Sequence, residues 1–284
     1  MNVLETGSRS AAAARMPWAV LGAALALLAL AIIAAPAARA DGHKAREIMQ
    51  KVNDRDDGDN RTSDMEMILI DRRKNRRVRK IRSFSKDRGK DTLTIMFFLS
   101  PADVKNTGFL TFDYGESGKD DDQWLYLPAL RKTKRIASSD KSGSFMGSDF
   151  NFSDMTDLDL EDYDFTLMKE TEVNGKMTWQ IQSVPRSKEV AEETGYKKSI
   201  LWVRQDNYML IRAISWVNKS RKLKYFQVKK LERIDGIWVA TELQMVTKEG
   251  KKTTHATIIR ISNVKFNQPL KESRFTVRQL EKGT

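Results

Sequence analysis

Cysteine is absent from the chain. Its absence excludes a disulfide framework, every thiol-based mechanism, and a lipid attached to a cysteine behind an export signal. Histidine is almost absent, with only His43 and His255, which is too few for a histidine-centred triad or a histidine-rich zinc site. No glycine-rich phosphate loop occurs, so no nucleotide cofactor is expected. "GSFMGS", Gly143 to Ser148, misses the G-x-S-x-G register of a nucleophile elbow. "DRDDGDN", from Asp54, resembles a calcium loop, but with Gly58 at the sixth position Arg55 falls on a ligand position. The acidic run Asp157 to Asp164 offers Asp157 and Asp159 as an acid pair; its ordinary role is a solvated turn leading into a strand. The expectation is a protein that is not an enzyme and holds neither metal nor cofactor.

What the chain does have begins with an apolar leader. Met16 to Ala38 carries no charge; Arg9 and Arg15 precede it and Ala38-Arg39-Ala40 closes it. A basic start, an apolar middle and an A-x-A end predict a secretory signal peptide on residues 1–40, cleaved after Ala40. The alternative is a retained anchor, because roughly 18 apolar residues can span a bilayer. The formal net charge is +12. Three basic residues (Arg9, Arg15, Arg39) and one acidic residue (Glu5) lie in the leader, so residues 41–284 keep +10 of it.

From residue 41 onward no linker or composition break divides the chain, which predicts one domain over 41–284. Lys44–Asp54 has apolar residues at helical spacing: Ala45, Ile48, Met49 and Val52. Strand signals then follow with little interruption, separated by turns such as Asn174-Gly175, Asp235-Gly236 and Glu249-Gly250. About a dozen antiparallel strands, a helical turn at Lys188–Glu193 and a short helix or extended tail at Lys271–Lys282 are expected.

Two strands are apolar on both sides. In "TIMFFL", Ile95, Phe97 and Leu99 oppose Met96 and Phe98; in "QWLYLPAL", Trp124 and Tyr126 oppose Leu125 and Leu127. An antiparallel sheet usually wets one face, so this one needs two covers: a second core layer or partner, or a curved sheet around an apolar ligand. "GSFMGSDFNFSDM", Gly143 to Met155, follows neither strand nor helix periodicity, yet carries Phe145, Met146, Phe150, Phe152 and Met155. "RRKNRRVRKIR", Arg72 to Arg82, holds eight basic residues in eleven. With no interleaved aromatic set it does not point to nucleic acid. It reads as a solvated hairpin that guards strand edges, or as a docking face for anionic lipid headgroups or an acidic partner.

"FFLSPADVKNTGFLTFDY", "DDQWLYLPALRKTKRI", "GSFMGSDFNFSDM" and "IDGIWVATELQM", in this order, resemble the bacterial outer-membrane lipoprotein-sorting proteins, the LolA-like group. The resemblance runs from about Lys44 to Leu280. It implies a mainly β fold: an incomplete, half-open antiparallel barrel with short helices over its concave face. It also implies a non-catalytic periplasmic carrier of lipid or lipoprotein acyl chains, working as a monomer with transient membrane contact and with an RND-type inner-membrane transporter. The alternative is an envelope adaptor that binds such a transporter without carrying cargo. Cavity-lining candidates are Phe98, Phe109, Trp124, Tyr126, Phe145, Met146, Phe150 and Phe152. Docking candidates are Arg73, Arg76, Arg77 and Arg79. The Phe/Met-rich segment is expected at the cavity mouth as a wall or gate, hinged at Gly143 and Gly147, with Phe145, Met146 and Phe150 facing inward.

Overall fold

The computed structural model describes residues 41–283; the leader and its cleavage site lie outside the described residues. Helix α1 occupies 41–53. Thirteen strands follow: β1 (Asn60–Asp71), β2 (Arg76–Arg88), β3 (Asp91–Ser100), β4 (Gly108–Asp113), β5 (Asp122–Leu127), β6 (Lys132–Arg135), β7 (Tyr163–Val173), β8 (Lys176–Pro185), β9 (Tyr196–Arg204), β10 (Leu210–Val217), β11 (Lys222–Ile234), β12 (Ile237–Glu249) and β13 (Lys252–Phe266). Helix α2 (Lys188–Thr194) joins β8 to β9, and α3 (Val277–Lys282) ends the described chain.

All thirteen strands form one antiparallel sheet in the order β6-β5-β4-β3-β2-β1-β13-β12-β11-β10-β9-β8-β7. Every neighbour is a hairpin partner except at the centre, where the first strand pairs with the last, Met67 opposite Ile259. Each strand expected from alternation and turn residues is present. The two-residue turns fall where Asn174-Gly175 and Asp235-Gly236 place positive φ on both residues. The sheet does not close: β6 and β7 are its two free edges, so the fold is the incomplete barrel that the sequence led us to expect.

Strand alternation sends side chains to two faces, and each face has its own cover. The inner face carries Met67, Ile81, Phe98, Phe109, Leu125, Met245 and Ile259 on one side of the sheet, packed with Phe145 and Phe150. On the other side it carries Phe165, Ile181, Leu201, Val203 and Ala213 beneath Ala45, Ile48 and Met49 of α1. Phe226 of β11 touches both groups. The outer face of β3 to β5 buries Leu93, Ile95, Phe97 and Leu110 under Phe275 and Leu280 of the C-terminal segment. Thus α1 covers the inner face as the resemblance implied, whereas α3 covers the outer one. Gly108 makes that outer docking possible, because a Cβ there would stand 2.5 Å from Leu280 Cδ1 and 3.2 Å from its carbonyl oxygen.

Candidate functional site

Residues 136–162 connect β6 to β7, and so run from one free edge of the sheet to the other. The segment is built from short 3-10 turns at Ser138–Asp140, Phe145–Gly147, Phe152–Met155 and Leu160–Asp162. Positive φ at Met146 and Gly147 turns the chain tightly. Asn151 and Asp154 form a reciprocal capping box at the third of these turns. This arrangement explains much of the mixed composition: Phe145, Phe150 and Phe152 pack on the sheet, while Ser144, Asn151 and Asp159 stand at the starts of the later turns.

Phe145 is the centre of the apolar contact. It is 1% exposed, with its ring 4.9 Å from Phe109, 5.6 Å from Phe152 and 6.2 Å from Phe98. Phe150 is buried in the same group, and Met146 and Phe152 pack against it. Six of the eight cavity candidates therefore meet at one place. Trp124 and Tyr126 do not join them. They occupy the outer face of β5 with Phe275 and Leu280, Trp124 lying 5.1 Å from Phe112, because Leu125 and Leu127 hold the inward positions of that strand. The six pack together over the half of the inner face that α1 leaves uncovered.

The segment is also held by buried polar groups that composition did not reveal. Asp149, whose side chain is 1% exposed, accepts hydrogen bonds from the hydroxyls of Thr247 and of Thr257 (2.6 Å) and lies 2.7 Å from His255 Nδ1. Its backbone N–H donates to Thr257 Oγ1 at 2.9 Å. Two residues on, Lys224 Nζ donates to Asn151 Oδ1 at 2.6 Å, and Tyr196 OH donates to Asp154 Oδ2 at 2.8 Å. Burial pushes the Asp154 carboxyl up and the Lys224 amine down, the latter opposed by the charges of Asp154 and Asp149. At the start of the segment, Lys141 Nζ meets Glu193 of α2 at 2.6 Å. These partners come from β9, β11, β12, β13 and α2, which are distant in sequence. The one legible hint was the pairing of His255 and Thr257 on the inward side of an otherwise ordinary strand.

A cleft of about 570 Å³ opens beside these anchors. Ser142 and Asn151 border it from the segment, Glu192 and Glu193 from α2, and Lys219 and Lys224 from the β10–β11 hairpin.

The basic hairpin divides in two. Arg73, Arg76 and Arg77 are exposed at the β1–β2 tip. Arg79 is buried, and its guanidinium donates to the carbonyl of Met146, so it pins the segment and leaves the exposed set. By register, the β1–β2, β12–β13 and β10–β11 tips lie side by side at one end of the sheet. They add Lys251, Lys252, Lys219, Arg221 and Lys222 to the arginines. At the opposite end of β1 to β4, Asp87, Asp113, Asp121 and Asp157 gather, and Asp113 Oδ2 accepts the Asp157 N–H at 2.6 Å. Burial, with the Asp121 and Asp157 charges, pushes Asp113 up to about 7.

A family model described as "-like: Uncharacterized protein" matches residues 90–282. No curated protein matches. Among solved structures, a DUF1329 family protein from Desulfovibrio piger is 29% identical, with a TM-score of 0.77 over 84% of this chain and 99% of that one. A proposed outer membrane lipoprotein-sorting protein domain from Vibrio parahaemolyticus is 30% identical, with a TM-score of 0.76 over the same shares. A LolA superfamily protein from Nitrosomonas europaea shares the fold at 18% identity, with a TM-score of 0.62 over 83% of this chain and 98% of that one.

Proposed function

We infer a function from one premise: the chain belongs to the LolA-like, outer-membrane lipoprotein-sorting family. It is a non-catalytic periplasmic carrier that takes up acyl chains, of a lipid or of an acylated lipoprotein, on the inner face of its open sheet. The observation that carries this reading is the cover of that face. A single connecting segment, seated by Phe145, Met146, Phe150 and Phe152, lies where cargo would lie.

The apolar energies are matched. Burying an acyl chain of about 15 CH₂ groups contributes about 12 kcal/mol at ~0.8 kcal/mol each. Releasing four large apolar side chains to water costs about 6–12 kcal/mol. The apolar terms of cargo and segment are thus of similar size, and displacing the segment also breaks the hydrogen bonds of Asp149, Asn151 and Asp154. Arg73, Arg76 and Arg77, with their basic neighbours, face an anionic membrane surface or an acidic patch on an RND-type inner-membrane transporter.

Native mass spectrometry of protein released from the periplasm tests the reading; co-purified acyl lipid or lipoprotein is the expected result. A fluorescent fatty-acid probe should also bind, and Phe145→Ala should bind it more tightly because the competing ring is gone. Protein that is reproducibly empty and takes up no probe overturns the carrier. Core-like burial of Phe145 favours a second reading, an envelope adaptor with a permanently filled face. Stoichiometric capture of a membrane partner, unchanged by Phe145→Ser or Phe150→Ser, would select it.

A further inference from the structure

The cleft beside the segment has a floor unlike its walls. Lys224 is 8% exposed and projects from the inward side of β11, two residues from Phe226. Its ammonium has an amide oxygen at 2.6 Å and the Tyr196 hydroxyl at 3.4 Å. Among the described residues, no carboxylate lies within ion-pairing distance of it. Its direct partners are neutral, the charges of Asp154 and Asp149 act on it only from beyond that distance, and burial keeps its charge expensive unless an anion joins it.

Of the three carboxylates that line the cleft, Glu189 is exposed to solvent and the two on the inner turns of α2 are already matched. Glu192 is held by Lys219 at 2.5 Å, and Glu193 by Lys141 at 2.6 Å. Lys224 is therefore the deep cation left for a ligand, and the hydroxyl of Ser142 stands on the same wall. A volume of about 570 Å³ suits a headgroup, not a whole lipid. Phe226, which among the described residues is the one side chain shared by both inner apolar groups, leads from this floor to the face where acyl chains would run.

We propose that the cleft seats the phosphate group of an amphiphile, with Lys224 as its counter-ion and the acyl chains passing Phe226 onto the inner face. This deepens the carrier reading and rests on it. It assigns the polar end of the cargo, and with it the direction in which cargo lies in the protein.

The experiment compares two pyrene-labelled lipids with identical acyl chains, phosphatidic acid and diacylglycerol, in equilibrium binding to the purified protein at physiological salt. The wild type should prefer phosphatidic acid at least tenfold. Lys224→Met should lose that preference while still binding diacylglycerol, and Lys224→Arg should keep most of it. A variant with Arg73, Arg76 and Arg77 changed to Gln should also keep it, since the exposed tips act on membranes and not in the cleft. Equal affinity of the wild type for the two lipids overturns the headgroup site and leaves the carrier standing; the comparison needs no variant to fold. A preference that survives Lys224→Met also overturns it. Binding of neither lipid overturns the carrier reading beneath it. Inorganic phosphate distinguishes the sources of the anion. Competition with phosphatidic acid supports the shared site, whereas phosphate binding without any lipid preference overturns the lipid as its occupant.

Discussion

At the scale of residues, two aspartates behave in opposite ways. Asp149 is held where three side chains converge on its carboxyl group. Asp149→Ala should cost about 3 kcal/mol, because it leaves buried hydroxyls and an imidazole without their acceptor. Urea unfolding, with the slope of the transition checked for two-state behaviour, reads this loss. Asp113 sits where ionisation is penalised. Its folded pKa, about 7, lies above its ordinary value of 3.8, and Asp87, Asp121 and Asp157 are also raised by burial. Groups raised in this way bind protons on folding, so they favour the fold when protonated and oppose it when ionised. Stability should therefore rise as pH falls from 8 to 5. Carboxylates lowered by an arginine hydrogen bond, such as Asp64, Asp91 and Asp206, reverse the trend only at more acid pH, below the ordinary carboxylate range. Asp113→Asn should flatten the slope between pH 5 and 8 and gain on the order of 2 kcal/mol at pH 8. Melting temperatures across that range would show it, and an unchanged slope would refute it.

Elements show where reading a sequence works and where it stops. The thirteen strands were legible because alternation and turn residues are local properties, visible in "TIMFFL" as readily as in Asn174-Gly175. The direction of each strand's faces was not. "DQWLYL" alternates equally well whichever side is inward, and only Gly108 and α3 decide that Trp124 and Tyr126 face outward. The connecting segment was legible as apolar and irregular, whereas its anchors were not, since Thr247, His255 and Lys224 lie 73 to 106 residues away from their partners. Arg79 was misplaced for the same reason: strand alternation turns one arginine of the basic run inward. Gly108 provides the test at this scale. Gly108→Val should push α3 off β4, destabilise the protein by about 1–3 kcal/mol, and raise amide exchange in residues 272–282 while leaving β7 to β10 unchanged.

The whole molecule is polarised, with three neighbouring basic hairpin tips at one end and the aspartate group at the other. Each basic residue near an anionic surface is worth about 1 kcal/mol. Changing Arg73, Arg76 and Arg77 together to Gln should thus weaken binding to phosphatidylglycerol vesicles about a hundredfold. Co-sedimentation at low salt measures this, and 0.5 M salt should abolish the difference by screening. Retention of full vesicle binding by the triple variant would remove the docking role from these tips. The central pairing of β1 with β13 carries a further consequence. Its partners stand almost at the two ends of the described chain, so the middle of the sheet cannot be hydrogen-bonded until nearly the whole polypeptide is present. Each wing can grow hairpin by hairpin, but the seam between them waits for the last strand, and folding dominated by such a distant contact is slow. Completion of the sheet is therefore the joining of two wings at one seam, β1 against β13.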